Sequence, residues 1–429
     1  MNQRIISKNL TKARHSTKTC KVFEVKVDKS KLSSTTLKQL YSLFKEAKQF
    51  YNYCLSQKNL NTANTKIKIV PVKVKDVFED RKLTTLTAQM KQSIKTKIFS
   101  NIYALSTLKK KGKKVGRLKF KSFLDSIPLK QANVTYKIDI DNSRIKIQGI
   151  KQLMRVYGLE QIPKNSELAS ANFIKKCGNF YLNITTYQDK IVKSIPEQSV
   201  GIDFGCSTQL TLSNGIKIEY QVPVSKKLKR LDRKIMKGKR HNTKSNNKYK
   251  DQQKRKKEYE KLNNRKKDIK NKIVNVLVNN FKYICFQDES LNAWKASGHG
   301  KKIQNSNLGG IIRDLKNKSH TPIEVNKFFP STQLCPKCGN KQKMPQEVRT
   351  YVCTSCGYTE DRDLKSAICL EKEGLSSLKI KVPMSNVVAN KYGVPTDHRE
   401  FKLEEMKTSA CNVINLLKQI NNIHVSLCR

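Results

Sequence analysis

The chain has 429 residues, enough for more than one domain. Its 87 Lys and Arg against 34 Asp and Glu leave a formal net charge of +53, a self-repelling excess that points to a polyanionic partner, above all nucleic acid. No apolar run approaches the roughly twenty residues of a spanning helix, and the N-terminal MNQRIISKNLTKAR lacks a signal peptide's apolar core, so neither a membrane nor a secreted protein is expected.

Residues 1–19 are basic and polar and read as a loose arm. Residues 20–27 alternate apolar with polar and predict a strand. From Leu37 to Leu55 the period becomes helical, with Leu37, Leu40, Leu43, Phe44, Ala47, Phe50, Tyr51 and Cys54 on one face. Such a face either stacks on bases or packs as core, and core is the reading adopted. A second helix is expected over about 84–107.

The basic stretch KKKGKKVGRLKFKS (109–122) reads as a loop running into a strand, with Lys113, Lys114 and Arg117 as candidate phosphate contacts. Strand pairs then fold around Asp141-Asn142-Ser143 and Cys177-Gly178-Asn179. The first strand and these later ones are expected to close a small β-barrel, with the 36–107 helices inserted as a lobe.

At Gln198 the texture changes. Ser199–Phe204 is a short strand of buried type carrying Asp203 near its end. Two further strands flank the turn Asn214-Gly215. In residues 225–275 Lys and Arg far outnumber Asp and Glu, and Leu228, Leu231, Ile235, Tyr259, Leu262, Ile269, Ile273 and Val276 recur at helical spacing. This predicts a helical hairpin with a thin apolar seam and a cationic exterior. Lys254, Arg255, Lys256 and Lys257 are candidate nucleic-acid contacts there. A fourth strand over 281–286 ends in Gln287-Asp288-Glu289; a helix at 308–318 and a strand at 322–329 follow.

Two Cys-x-x-Cys knuckles, Cys335/Cys338 and Cys353/Cys356, come next. Four thiolates in that spacing make the closed tetrahedral site of a structural zinc ribbon. The chain has 12 Cys, and the remaining eight show no pairing pattern, which fits reduced thiols inside a cell. The six His have no metal-ligand spacing. After the ribbon, Asp361-Arg362-Asp363 opens a helix. The order of strands and helices, with acids at Asp203, Glu289 and Asp363, is that of an RNase H-like fold.

VGIDFG, the basic hairpin, QDESLNAW, FFPSTQLCPKCG and CTSCGYTEDRD resemble the transposon-associated TnpB nucleases, and equally the compact type V CRISPR effectors and the eukaryotic Fanzor proteins. The resemblance covers about residues 196–370. It implies a RuvC-type (RNase H-like) nuclease domain with a zinc-ribbon insertion, preceded by a β-barrel-like wedge domain and a helical recognition lobe. The implied boundaries are 1–35 and 108–195 for the wedge, 36–107 for the lobe, 196–330 and 361–382 for the nuclease domain, 331–360 for the ribbon and 383–429 for a C-terminal tail.

Carried over, Asp203, Glu289 and Asp363 are the catalytic acids and hold Mg²⁺, while the cysteines hold zinc. Asp288 and Asp361 stand as alternatives to Glu289 and Asp363. Lys365 occupies a position where the family commonly has Asn. The activity implied is RNA-guided, metal-dependent DNA cleavage with guide RNA and target DNA as partners, in the cytoplasm at the nucleoid, or in the nucleus if the source is eukaryotic. A cleavage-deficient guided repressor and an RNA-independent transposase-type nuclease are the alternatives.

Overall fold

A computed structural model of the chain describes residues 3–74, 77–190, 195–240, 246–345, 347–378, 412–420 and 423–427. The chain divides into two compact units, Met1–Val192 and Lys193–Arg429.

In the first unit, α1 (Gln3–Ser16) replaces the expected loose arm. Its C-terminal end is tied down on the Glu167 carboxylate, which Arg14, His15 and the nearby Lys18 approach to 2.6, 3.0 and 3.1 Å. His15 also stacks on Tyr187 at 3.6 Å. After β1 (Lys18–Val27), Ser33 caps α2 (Ser34–Ser56) by accepting the Thr36 N–H, supplying a partner the first helical turn lacks.

A two-stranded hairpin, β2 (Ile69–Val74) and β3 (Val77–Lys82), stands where only helix was expected. Its second strand is exposed throughout and mostly polar, so it carries no apolar alternation to read. Thr87 then caps α3 (Ala88–Lys110). The basic stretch that follows runs as irregular chain, not as a strand; Asn52 holds it by bonding both the N–H and the carbonyl of Lys121.

The strands β4 (Ser126–Leu129), β5 (Tyr136–Asp139), β6 (Arg144–Ile147), β7 (Met154–Tyr157), β8 (Glu167–Lys176) and β9 (Asn179–Asp189) complete a seven-stranded antiparallel sheet, ordered β4-β8-β9-β1-β7-β6-β5. Among the described residues no ladder joins β4 to β5, so the sheet is open where a closed barrel was expected. The apolar face of α2 is core: Leu40, Leu43, Phe44 and Phe50 share one cluster with Val25, Ile127, Phe173 and Phe180. The helices of 36–107 therefore pack on the sheet and do not form a lobe with a core of its own.

The second unit is built on β10 (Ser199–Phe204), β11 (Leu210–Leu212) and β12 (Ile216–Tyr220), followed by the long helices α4 (Lys226–Arg240) and α5 (Asn246–Asn280). Next come β13 (Tyr283–Gln287), α6 (Leu291–Trp294), α7 (Gly300–Ser306), α8 (Leu308–Lys318) and β14 (Thr321–Val325). The last strand ends sooner than its sequence suggested, and residues 326–331 form a loop. A short ladder of β15 (Thr350–Val352) and β16 (Thr359–Asp361) leads into α9 (Arg362–Ser377).

The expected C-terminal tail is partly core. Residues 379–411 lie outside the described residues, but Val413 and Leu417 are buried and β17 (Ile423–Leu427) pairs antiparallel with β12. The sheet order is β14-β13-β10-β11-β12-β17, with β10, β13 and β14 mutually parallel and the other pairs antiparallel.

Helix α9 lies against this sheet so closely that two glycines are required. A Cβ on Gly201 would stand 2.0 Å from the Ala367 carbonyl, and one on Gly374 would stand 2.6 Å from Cys285 Sγ. Close docking brings the N-terminus of α9 to the carboxyl ends of β10 and β13. Among the described residues no helix is long and apolar enough to cross a membrane.

Candidate active site and zinc ribbon

Because β10 and β13 run parallel in register from Ser199↔Tyr283 to Ile202↔Phe286, their carboxyl ends meet at one edge of the sheet. Asp203 sits near the end of β10, Glu289 two residues beyond β13, and Asp363 in the first turn of α9. All three line one cavity of about 420 Å³, together with Gln287, Ser331, Trp294, His299, Lys302, Arg349 and Arg362 among others.

Each acid is half-buried. Burial raises the Asp203 carboxyl well above its ordinary range, and the nearby Asp363 and Glu289 charges push it further. Burial, followed by the Asp288 charge, pushes Glu289 up to about 7. Asp363 is within 3.5 Å of Arg349 Nη1 and 3.4 Å of Arg362 Nε.

The competing acids are engaged elsewhere. Asp361 caps α9, accepting the N–H groups of Asp363 and Leu364 at 3.1 Å, and pairs with Lys217 at 2.9 Å. Asp288 is exposed and pairs with Lys316 at 3.2 Å. Neither lines the cavity. Lys365 does not line it either. Fully buried, its Nζ donates to the Ser331 carbonyl at 2.8 Å and sits 4.3 Å from the Tyr351 ring centre. The cationic wall formed by Lys302, Arg349 and Arg362 escaped sequence reading, because isolated basic residues carry no signal in so basic a chain.

In the ribbon, Cys335 Sγ lies 3.6 Å from Cys356 Sγ, and Cys338 Sγ lies 3.6 Å from Cys353 Sγ. Zn–S bonds of about 2.3 Å put tetrahedral sulfurs roughly 3.8 Å apart, so these four fit the ion. Both knuckles close alike: Gly339 N–H donates to the Cys335 carbonyl and Gly357 N–H to the Cys353 carbonyl, each at 3.0 Å. Burial opposes ionisation of Cys353, but hydrogen bonds from the backbone N–H groups of Cys356 and Ser355 and from the neighbouring thiols lower its pKa. In Cys356 the Tyr358 N–H acts to lower the pKa, but burial and the other thiols together raise it. Thiols that share protons this closely suit a common metal, which would take up their negative charge. Among the described residues these cysteines are the only group of three or more His, Cys, Asp or Glu whose ligand atoms all lie within 4.8 Å of one another. The three cavity acids are thus spread more widely than that.

The nominated basic residues differ among themselves. Lys113, Lys114 and Arg117 are exposed in the irregular stretch after α3, and Lys254, Lys256 and Lys257 are exposed on α5. Arg255 is not free. Its guanidinium pairs with Asp232 of α4 and lies 5.0 Å from the Tyr259 ring centre, so it closes the hairpin.

Residues 184–288 match the family model described as "Probable transposase", and residues 312–370 match the "Cas12f1-like, TNB domain". The first match takes in β10 with Asp203; the second takes in the four cysteines and Asp363. Over these segments the chain is similar to TnpB-like proteins.

A curated relative of this chain, the "Putative RNA-guided DNA endonuclease" of Streptomyces pristinaespiralis, is 27% identical over 190 residues. The matched segment is 42% of this chain and 46% of the relative, so less than half of the relative's length is covered. A cryo-EM structure of a Cas12f1–sgRNA–target DNA complex is also similar, covering 83% of this chain and 99% of the other, with 13% identity and a TM-score of 0.46.

Proposed function

We propose that this chain is an RNA-guided DNA endonuclease that hydrolyses phosphodiesters at a RuvC-type site formed by Asp203, Glu289 and Asp363. The observation that carries the reading is the convergence of these acids, from three separated stretches of chain, on one cavity with a cationic wall. The second unit's sheet, with its parallel β10, β13 and β14 and its antiparallel β11, β12 and β17, is read as an RNase H-like nuclease domain. The first unit is read as combined wedge and recognition regions, holding guide RNA through exposed cations such as Lys113, Lys114 and Arg117.

Hard carboxylate oxygens suit Mg²⁺, and acids spread this widely suit a pair of ions. Such ions, when bound, activate a water and neutralise the leaving oxygen. The chain's own groups do the rest. Asp203, Glu289 and Asp363 hold the ions, and their mutual repulsion makes them avid for cations. Lys302, Arg349 and Arg362 offer positive charge to the non-bridging oxygens of the substrate phosphate. The zinc is structural, since four thiolates leave it no open position. Base pairing with the guide supplies sequence specificity, while the basic faces bind phosphates whatever the sequence.

The test is guide-programmed cleavage of double-stranded DNA in Mg²⁺, with binding measured on the same preparations. Asp203→Ala should abolish cleavage and leave guided binding nearly intact. Full cleavage by this variant would remove the site from the mechanism.

A further inference from the structure

The loop after β14 displays an aromatic side chain that the fold does not use. Phe328 is 79% exposed, the most exposed large apolar side chain among the described residues. An exposed ring on an untethered loop would mean little, but this loop is held from within. Gln287 lines the cavity, and its side-chain amide N–H groups are shared among the carbonyls of Asn326, Lys327 and Phe329 at 3.1, 3.1 and 2.8 Å. Asn326 Oδ1 accepts the Phe328 N–H at 2.9 Å, and the Asn326 carbonyl accepts the Phe329 N–H at 3.0 Å. The backbone on both sides of Phe328 is thereby held in place.

Two features define what such a ring would meet. Lys327 Nζ lies 4.6 Å from the ring centre, so a cation accompanies the aromatic. Its neighbours Asn326 and Lys327 are polar and exposed, and Phe329 is only half-buried. The surface is one ring beside one charge, whereas a protein partner is recognised by a contiguous apolar patch. A single aromatic with a neighbouring cation is the unit that stacks on one base and attracts the adjoining phosphate.

The loop also lies at the cavity. Ser331 and Thr332 line it, and three Cα–Cα steps of 3.8 Å keep Phe328 within roughly 11 Å of Ser331. We propose that Phe328, with Lys327, is a stacking platform for an unpaired base of single-stranded DNA flanking the phosphodiester in the cavity. This rests on the nuclease reading above and deepens it: the site would take its substrate as an unpaired strand, positioned by a contact outside the catalytic acids.

The experiment uses the full chain without Mg²⁺ and a short single-stranded DNA carrying 2-aminopurine, whose fluorescence is quenched on stacking. Wild-type protein and Phe328→Trp should quench the probe. Phe328→Ala should abolish the quench and weaken binding about 5- to 100-fold, as expected for loss of one base–aromatic stack. An unchanged melting temperature in Phe328→Ala would confirm that only the surface has changed. Equal quenching and affinity in wild type and Phe328→Ala would overturn the proposal, as would binding restricted to the RNA version of the oligonucleotide. Hydrolysis plays no part in this measurement. A failed Asp203→Ala cleavage test with intact stacking would therefore strike the nuclease reading alone, and the reverse result would strike the platform alone.

Discussion

The Nζ of Lys365 lies 4.3 Å from the centre of the Tyr351 ring, with both side chains fully buried. Lys365 belongs to α9, two residues after Asp363, and Tyr351 to β15 beside the cysteines. With the bond from Lys365 to the Ser331 carbonyl, this pairing ties the helix carrying Asp363 to the ribbon and to the cavity wall. Lys365 is thus a brace. Burial lowers its ammonium to about 8, so the charge is held at some cost.

Lys365→Ala should destabilise the protein by about 2–4 kcal/mol, because it opens a cavity and leaves a buried carbonyl without its donor. Lys365→Met also orphans that carbonyl but keeps the volume and removes the buried charge, so it should cost less, about 1–2 kcal/mol. Urea unfolding of the two variants decides it, and equal losses would show that the polar contacts of the ammonium, not packing, matter at this position.

Asp361 and Asp363 should separate cleanly. Asp361→Ala removes a helix cap and should cost about 1 kcal/mol of stability while cleavage persists. Asp363→Ala should leave stability nearly unchanged and abolish cleavage. Parallel melting curves and cleavage time courses read both effects, and the opposite pairing would exchange the two roles.

The ribbon should depend on zinc. Replacing Cys335 or Cys353 with Ser should lower the zinc content by about one equivalent and expose residues 335–356 to protease, since structural zinc contributes folding energy directly. Tyr351 packs on both of these cysteines, so the loss should spread to the Lys365 brace. Zinc content equal to wild type in both variants would refute the assignment.

Stability without divalent metal should depend on pH in a stated direction. Glu289 moves from an ordinary 4.5 to about 7, and Asp203 is also raised, so the folded state binds protons more tightly than the unfolded chain. The Glu289 contribution is fully present below pH 4.5 and is lost as pH rises through about 7, and Asp203 acts in the same direction. Mg²⁺ should restore more stability at pH 8 than at pH 5. Thermal melts across this range, with and without Mg²⁺, should show the trend, and it should flatten in Asp203→Asn with Glu289→Gln.

On the basic hairpin, Lys254, Lys256 and Lys257 are open to a ligand, whereas Arg255 is paired. Neutralising the three lysines together should weaken binding to all sequences and reduce the log–log salt slope by roughly 0.7–0.9 for each phosphate no longer neutralised. Arg255→Gln should leave that slope almost unchanged. A salt titration of nucleic-acid binding compares the two variants directly.

Short-range signals carried much of this protein. The two Cys-x-x-Cys spacings forecast the thiol cluster, alternation and turn residues marked β10 to β13 in order, and helical periodicity located α2, α4 and α5. Each is set by residues only a few positions apart, so the chain alone discloses it. The tertiary structure decided whatever depends on a distant partner. Glu167 orders α1 through residues about 150 positions earlier in the chain, and β12 gives β17 its place at the far end of the sequence. Asp361 is drawn aside by Lys217 and its own helix, and Asp288 by Lys316, which leaves Asp363 and Glu289 to face the cavity. Arg255 is claimed by Asp232, and Lys365 by Tyr351 and Ser331. A charged side chain is directed by whichever counter-charge, carbonyl or ring the fold brings within a few ångströms, and that neighbour is fixed by packing, not by sequence spacing.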